Sequence, residues 1–373
     1  MLLAASVAMS FVMGHATIVA ARQDSSRAKQ AYARAVELDS QGDYAAALAL
    51  LWEAAGLAPR DPDIQNALGQ ALERIGALDA AVSAYRAALH ENPQFTKASN
   101  NLILALVKVG NGKEAVERAR GRVAASPNDP GAHFTLGLAQ SEQDIGEAIE
   151  SFRRALALDP GYALARYNLA LALNRSDRAS EAVEELKRTL ATDARAETHY
   201  MLGVIYWHQG DFDGATRELK AAIAAESRYA EAHATLGAVL AARHDWQSAA
   251  AELRRAIALH PDPPTHYALA RVLQQGGHTS GAELELKEAE RLRQQLEDDQ
   301  QASVLTAVGT AKLDAGALTA ALELFRRATS ISDRYAPAYY QMGRTLDRLG
   351  RDREARAAFS RAAALNPSLA TNR

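Results

Sequence analysis

The feature that most constrains the fold is a pattern that returns at a constant interval along most of the chain. Glycines mark it: the interval from Gly42 to Gly76 equals those from Gly76 to Gly110 and from Gly316 to Gly350. Alignment on these glycines gives ten units of nearly equal length, at 28–61, 62–95, 96–129, 130–162, 163–195, 196–229, 230–262, 263–296, 302–335 and 336–369. A period of about 34 residues predicts a solenoid, in which each unit packs only against its neighbours.

Each unit has the pattern of two short helices joined by a turn. Positions are counted from the first residue of a unit, with a one-residue gap in the three shorter units. Position 20 is alanine in all ten: Ala47, Ala81, Ala115, Ala148, Ala182, Ala215, Ala249, Ala282, Ala321 and Ala355. Apolar residues recur at spacings of three and four, which marks one face of a helix. Glycine at position 15 interrupts this face, and proline at position 32 ends the second helix in six units because it has no N–H to donate.

These residues resemble the tetratricopeptide repeat family. The matching marks are the alanines at positions 20 and 27, the closing prolines, and a Leu-Gly pair that appears as Leu68-Gly69, Leu136-Gly137, Leu202-Gly203 and Leu236-Gly237. The resemblance covers 28–369 and implies an all-α fold, a right-handed α-solenoid (superhelix) of antiparallel helix pairs. It also implies that the first helices line a concave face, where such proteins bind an extended peptide or another protein.

Some units depart from the pattern. Asp144 and Asp177 stand in the turns of repeats 4 and 5 where other repeats have glycine. The charged run 283–293 predicts a lengthened second helix in repeat 8 that ends near Asp298 and Asp299. We therefore expect the last two repeats to be offset from the first eight. The expected organisation is 1–21 as a signal peptide or N-terminal membrane anchor, 22–27 as a linker, 28–296 as repeats 1–8, 297–301 as an insertion, 302–369 as repeats 9–10 and 370–373 as a tail.

Composition excludes several classes of function. Lys+Arg 42 against Asp+Glu 45 gives a net charge of −3, which leaves no basic excess for binding nucleic acid. The chain has no cysteine, so disulfides, thiolate metal sites and a cysteine nucleophile are excluded. Because the repeats occupy nearly all of the chain, no segment remains for a catalytic domain. We expect a protein that is not an enzyme and uses no cofactor.

The histidines and one glycine-rich segment do not change this expectation. His133, His199, His233 and His266 share position 4 of their repeats. They should therefore be spaced along the solenoid rather than meet at one ion, and we expect no metal site. The segment Gly110-Asn111-Gly112-Lys113 only superficially resembles a phosphate-binding loop, because it is the turn of repeat 3 and no strand precedes it.

The segment 1–21 contains no charged side chain. It predicts a secretory signal peptide, with Val19-Ala20-Ala21 as the cleavage site, and hence an exported, periplasmic or secreted protein. About 20 apolar residues also suffice to span a bilayer, so an uncleaved anchor that tethers the chain to a membrane is the alternative.

The first helices carry a candidate binding groove. Positions 5, 9 and 12 share one face by helical spacing, and the resemblance assigns that face to the concave side. In repeats 3 to 6 this face is mainly apolar and aromatic, which indicates an interaction site. Asparagines on or beside it are expected to hydrogen-bond a ligand backbone, as the resemblance implies for some members. The candidate residues are Asn100, Leu104, Val107, Phe134, Leu138, Tyr167, Asn168, Leu171, Tyr200, Val204 and Trp207.

The sequence thus predicts a non-catalytic scaffold or adaptor that binds an extended, partly apolar peptide segment of a partner protein. Two alternatives stay open. The chain could be the recognition subunit of an enzyme or of a secretion or envelope complex whose catalytic part is on another chain. It could also be a structural assembly factor that associates end to end through its last repeat, which lacks the usual solvating terminal helix.

Overall fold

The computed structural model describes residues 23–366 and Leu369, and the regular secondary structure of 23–366 is α-helix. The all-α solenoid expected from the repeats is confirmed. The chain divides into two compact units, Met1–Ala194 and Arg195–Arg373. In repeats 2 to 10 the two helices of a repeat pack against each other, and within each unit the second helix packs against the first helix of the next repeat, except between repeats 8 and 9.

The described part of the first unit holds repeats 1 to 5. Its helices are α1 (23–40), α2 (Tyr44–Leu57), α3 (Pro62–Arg74), α4 (Leu78–Glu91), α5 (Thr96–Lys108), α6 (Gly112–Ala125), α7 (Pro130–Gln140), α8 (Ile145–Leu158), α9 (Ala163–Arg175) and α10 (Ala179–Leu190). The odd-numbered helices are the first helices of their repeats, so they carry the candidate groove residues of repeats 3 to 5.

The described part of the second unit holds repeats 6 to 10. Its helices are α11 (Ala196–His208), α12 (Phe212–Ala225), α13 (Ala230–Ala242), α14 (Trp246–Leu259), α15 (Pro263–Gln275), α16 (Thr279–Asp314), α17 (Leu318–Ile331), α18 (Ala336–Arg348) and α19 (Asp352–Leu365). No helix within 23–366 combines the length and the apolar character needed to cross a bilayer. Residues 1–21, the predicted signal or anchor, lie outside the described residues.

Aspartates fix where many helices begin. At seven helices the N-cap aspartate accepts a hydrogen bond from a backbone N–H of the first turn: Asp43, Asp61, Asp129, Asp144, Asp211, Asp245 and Asp262. An N-cap carboxylate satisfies an N–H that has no partner within the helix. Asp144 therefore does not replace the turn glycine but caps α8. In the other turns a residue with positive φ is needed, and Asp177 (φ 59°) and His244 (φ 62°) adopt it where glycine is missing.

The core follows the predicted repeat pattern. All ten alanines at position 20 are buried, none more than 4% exposed. Position 8 lets the two helices of a repeat approach closely: a Cβ added to Gly137 would lie 2.5 Å from Cε1 of Phe152, the bulky residue at position 24. The same pairing recurs between Gly309 and Phe325. Small residues on one helix thus make room for large ones on the other, as expected.

The predicted end of the repeat 8 helix near Asp298 and Asp299 is wrong. Helix α16 continues unbroken through 297–301 to Asp314, so the second helix of repeat 8 and the first helix of repeat 9 are one helix of 36 residues. The segment 297–301 contains no proline or glycine to stop it. Ion pairs of Arg293 with Glu290 and Glu297 support the helix at spacings of three and four residues.

Asp299 also attaches the middle of α16 to repeat 9. Its carboxylate accepts a hydrogen bond from Oγ of Ser332 at 2.5 Å and pairs with Arg334 at 3.4 Å. Both partners follow α17. The aspartates that suggest a helix end in the sequence therefore serve a tertiary contact from within the helix.

Candidate functional site

All eleven candidate groove residues are partly buried, so each keeps some surface that another molecule can reach. The first unit contributes Asn100, Leu104, Val107, Phe134, Leu138, Tyr167, Asn168 and Leu171, on α5, α7 and α9. The second unit contributes Tyr200, Val204 and Trp207, on α11. Helices α5 and α7 pack against each other directly. This brings the repeat 3 and repeat 4 side chains onto adjacent helices.

The aromatic ring at the centre of the first-unit surface is also part of its packing. The ring centroid of Phe134 lies 5.0 Å from that of Tyr162 and 6.0 Å from that of Phe152. Burial raises the pKa of the Tyr162 phenol, and the nearby carboxylates of Asp129 and Asp159 raise it further. Phe134 is therefore held in place by its neighbours, and part of its surface stays exposed.

The asparagines differ in what they are free to bind. Nδ2 of Asn168 donates to the carbonyl of Leu164 in its own helix at 2.8 Å. Oδ1 of Asn100 is buried and has no hydrogen-bond partner among the described residues. Asn101, next to it, donates instead to Asn66 of the preceding repeat at 3.0 Å. Of the two candidate asparagines, Asn100 has a side-chain oxygen that accepts no hydrogen bond from the described residues. The Asn168 side chain already donates a hydrogen bond within its own helix.

In the second unit the candidate residues of α11 form a short aromatic patch. The ring of Tyr200 lies 5.0 Å from the ring of Tyr229, and the indole of Trp207 stacks on His208 at 5.3 Å with an interplanar angle of 22°. Tyr200 and Trp207 also pack against a buried cluster that includes Leu236. These side chains therefore belong partly to the core and partly to the surface.

The position 4 histidines of the second unit pair with glutamates of the same repeat, a contact that was not predicted from the sequence. In each pair the histidine Nδ1 lies close to a glutamate carboxylate oxygen. The distances are 2.9 Å for His199–Glu218, 2.6 Å for His233–Glu252 and 2.6 Å for His266–Glu285. The signal that could have revealed them is the sequence spacing from histidine to glutamate, which is the same in all three pairs. Within the described residues, no three His, Cys, Asp or Glu side chains form a group that could hold a metal ion.

Sequence profiles of one family match a large part of the chain. Profiles described as tetratricopeptide repeat match residues 32–94, 139–205, 200–264 and 336–369. Together with the ten aligned units and the helix pairs, this decides the family. The chain belongs to the tetratricopeptide repeat family.

Solved tetratricopeptide repeat structures resemble this chain in fold. A tetratricopeptide repeat protein from Parabacteroides merdae is 16% identical, with 66% of this chain and 99% of that chain covered and a TM-score of 0.54. A thermophilic one from Thermus thermophilus is 24% identical, with 48% and 98% covered and a TM-score of 0.43. MamA from Desulfovibrio magneticus, from residue 41 to its end, is 27% identical, with 45% and 96% covered and a TM-score of 0.40.

Repeat 9 of this tetratricopeptide repeat chain exposes an apolar face whose equivalent is largely buried in repeats 2 to 8 and 10. In repeat 9, Val304, Val308 and Ala311 occupy positions 3, 7 and 10 of the first helix, and all three are exposed, Val304 at 60% and Val308 at 47%. At positions 3 and 10, the equivalent residues of repeats 2 to 8 and 10 are buried. The difference arises because α16 serves both repeats 8 and 9, so no separate helix precedes repeat 9 to cover this face.

Proposed function

We propose that this chain is a non-catalytic protein-interaction scaffold that binds an extended, partly apolar segment of a partner protein on its first helices. In the first unit the binding surface comprises the candidate residues of α5, α7 and α9. In the second unit it comprises Tyr200, Val204 and Trp207 of α11. Family membership supports the general role, since tetratricopeptide repeats typically serve as interaction modules rather than catalysts.

One observation carries the proposal. Leu104, Leu138 and Leu171 stand at position 9 of three successive first helices, and all three are partly buried. Packed helices lie about 8–10 Å apart, and an extended chain advances about 3.3 Å per residue. About three peptide residues therefore span the distance from Leu104 on α5 to Leu138 on α7, the two helices that pack against each other directly, and a segment with apolar residues three positions apart fits this pair.

Peptide selection tests this proposal. Random peptides would be selected against the full-length protein, and the affinity of the best binders measured by calorimetry. The variant Leu138→Glu/Leu171→Glu should bind them at least about tenfold more weakly, since charge in an apolar contact surface removes the central anchors. The matched control is Leu284→Glu, on the exposed side of a second helix, which should bind as the wild type does. Equal loss in both variants, or none in either, contradicts the proposal.

We also propose that the chain is exported, or tethered to a membrane through residues 1–21. The absence of charge before Arg22 supports this. Mass spectrometry of the N-terminus after cell fractionation tests it. A chain that begins at Arg22 outside the cytoplasm supports export, and an intact Met1 in the membrane fraction supports the anchor. An intact Met1 in the soluble cytoplasmic fraction contradicts both.

A second candidate function is assembly through a second copy of the chain, favoured by the exposed face of repeat 9. The ends of a solenoid are usually polar, and the corresponding positions of repeat 1 are Gln30, Arg34 and Glu37. Repeat 9 has the apolar residues Val304, Val308 and Ala311 at these positions instead of polar ones. Light scattering should give twice the mass of one chain, and Val304→Glu/Val308→Glu should restore the monomer. A monomeric wild type over the concentrations tested contradicts this function.

A further inference from the structure

The second helices of consecutive repeats are linked by a recurring ion pair. A basic residue at position 25 of one repeat meets an acidic residue at position 19 of the next. The pairs are Arg86–Glu114 at 2.8 Å, Arg120–Glu147 at 2.6 Å, Arg153–Glu181 at 3.3 Å and Arg326–Glu354 at 3.8 Å. The groove between two second helices is thus a place where an arginine of this chain takes up a carboxylate.

The junction of repeats 7 and 8 has the arginine without the carboxylate. Arg254 occupies position 25 of repeat 7, but position 19 of repeat 8 is Gly281. Arg254 makes no hydrogen bond or ion pair with any of the residues 23–366. The guanidinium that elsewhere holds the next repeat's acid therefore faces an open groove here.

That groove is also larger than the corresponding groove between repeats 3 and 4. The pocket lined by Arg254 and Gly281 has a volume of about 810 Å³. The corresponding pocket at the junction of repeats 3 and 4, lined by Arg120 and Glu147, has about 440 Å³. At three equivalent positions the larger pocket has the smaller residue: Ala250, Gly276 and Gly281 stand where the other pocket has Val116, Gln143 and Glu147. The vacated volume lies where the missing acidic side chain would be.

The remaining walls suit the stem of an acidic side chain. Trp246 is partly buried, with the ring of His244 edge-on to it at 5.1 Å, and Leu273 is buried. Asp245 is the one carboxylate among the lining residues. Its Oδ1 already accepts the backbone N–H of Ser248 at 3.1 Å, as the cap of α14. The pocket therefore combines an unpaired guanidinium with an apolar wall.

We propose that this pocket binds a glutamate or aspartate side chain of a partner protein. The carboxylate pairs with Arg254, and the aliphatic stem packs against Trp246 and Leu273. The four internal ion pairs show which chemistry this groove accepts, and Arg–carboxylate pairing favours a planar, hydrogen-bonded geometry. The site lies between second helices, so it is separate from the proposed groove on the first helices.

Arginine side-chain NMR tests the proposal on the full-length protein labelled with ¹⁵N-arginine. The probes are an acetylated and amidated hexapeptide with one central glutamate between leucines, the same peptide with glutamine, and inorganic phosphate. The glutamate peptide should shift the Arg254 Nε–H signal, and the glutamine peptide should bind at least about tenfold more weakly. The signal is assigned by its loss in Arg254→Gln.

A variant that restores the internal acid provides the control. A Cβ on Gly281 would lie 3.4 Å from Leu273 Cδ1, an ordinary contact, so Gly281→Glu fits the pocket and should pair with Arg254. It should abolish the response to the glutamate peptide, and Arg254→Gln should abolish the peptide's binding even if Gly281→Glu fails to fold. The proposal is overturned if the glutamate peptide leaves Arg254 unshifted at millimolar concentration. It is also overturned if both peptides bind equally or if only phosphate binds.

Discussion

Glycine at position 8 and the bulky side chain at position 24 form a matched pair in this chain. Gly137 with Phe152 and Gly237 with Leu253 show the same close approach in the first and second unit. A methyl group at such a glycine must displace a buried ring or branched side chain, whereas a glycine on an open helix surface carries only the entropic cost of a flexible backbone. The same substitution should therefore have opposite effects at the two kinds of site.

Gly137→Ala should lower the free energy of unfolding by about 1–3 kcal/mol, because the new Cβ overlaps Phe152. Gly121→Ala, in α6 with nothing near the added Cβ, should raise it by about 0.5–1 kcal/mol. Thermal or urea unfolding followed by circular dichroism measures both. Stabilisation by Gly137→Ala would contradict the close helix contact.

Tyr85 links this packing to pH. Burial raises the pKa of its phenol, and a hydrogen bond that it donates to Glu73 at 2.8 Å raises it further. In the unfolded chain a tyrosine loses its proton near pH 10. The contribution of the protonated Tyr85 phenol to the free energy of unfolding is therefore complete below about pH 10. It is lost as the pH rises towards the pKa of the phenol in the folded state.

Wild-type stability should consequently fall above about pH 10, by up to about 1.4 kcal/mol per pH unit for this one group. Tyr85→Phe should be about 1 kcal/mol less stable at neutral pH through loss of the hydrogen bond. It should also show a smaller fall at alkaline pH. Urea unfolding of both proteins between pH 7 and 11 measures this, and parallel pH curves would contradict the assignment.

At the scale of the element, α16 differs most from the repeat pattern. It replaces a helix, a loop and a second helix by one helix of 36 residues. Two consequences follow within the second unit. The face of repeat 9 formed by Val304, Val308 and Ala311 is exposed. Leu286, at position 24 of repeat 8, is 45% exposed, whereas the equivalent residues of repeats 1 to 7 are buried. The regular stack is therefore interrupted between repeats 8 and 9.

Spin labels can measure the continuity of α16, and the absence of native cysteine makes the labelling specific. Lys287→Cys and Lys312→Cys provide two exposed sites near opposite ends of the helix. At about 1.5 Å per residue along a helix, the two sites should be separated by about 37 Å. A helix that ended near Asp298 and folded back would bring them to about 10 Å, the distance between packed helices, and such a value would contradict the continuous helix.

At the scale of the whole molecule, the repeat, the helix pairs and the buried alanines could be predicted because they depend on short, regular spacings. The course of α16 could not, because Asp298 and Asp299 are as compatible with a helix interior as with its end when no proline or glycine follows. The Arg254 pocket also escaped prediction, since it appears only when position 25 of one repeat is compared with position 19 of the next. The groove residues were placed on the expected helices, but their binding role stays a prediction.

The scaffold role requires that partner proteins bind along the first helices. Photo-crosslinking in the native host tests it most directly, with a photoreactive amino acid placed at Leu171 on α9 or, as the matched control, at Glu150 on the exposed side of α8. We expect a defined crosslinked partner from Leu171 and a much weaker one from Glu150, with loss of the Leu171 product in the Leu104→Glu/Leu138→Glu background. Crosslinking from Glu150 alone, or crosslinking from Leu171 unaffected by that background, would contradict it.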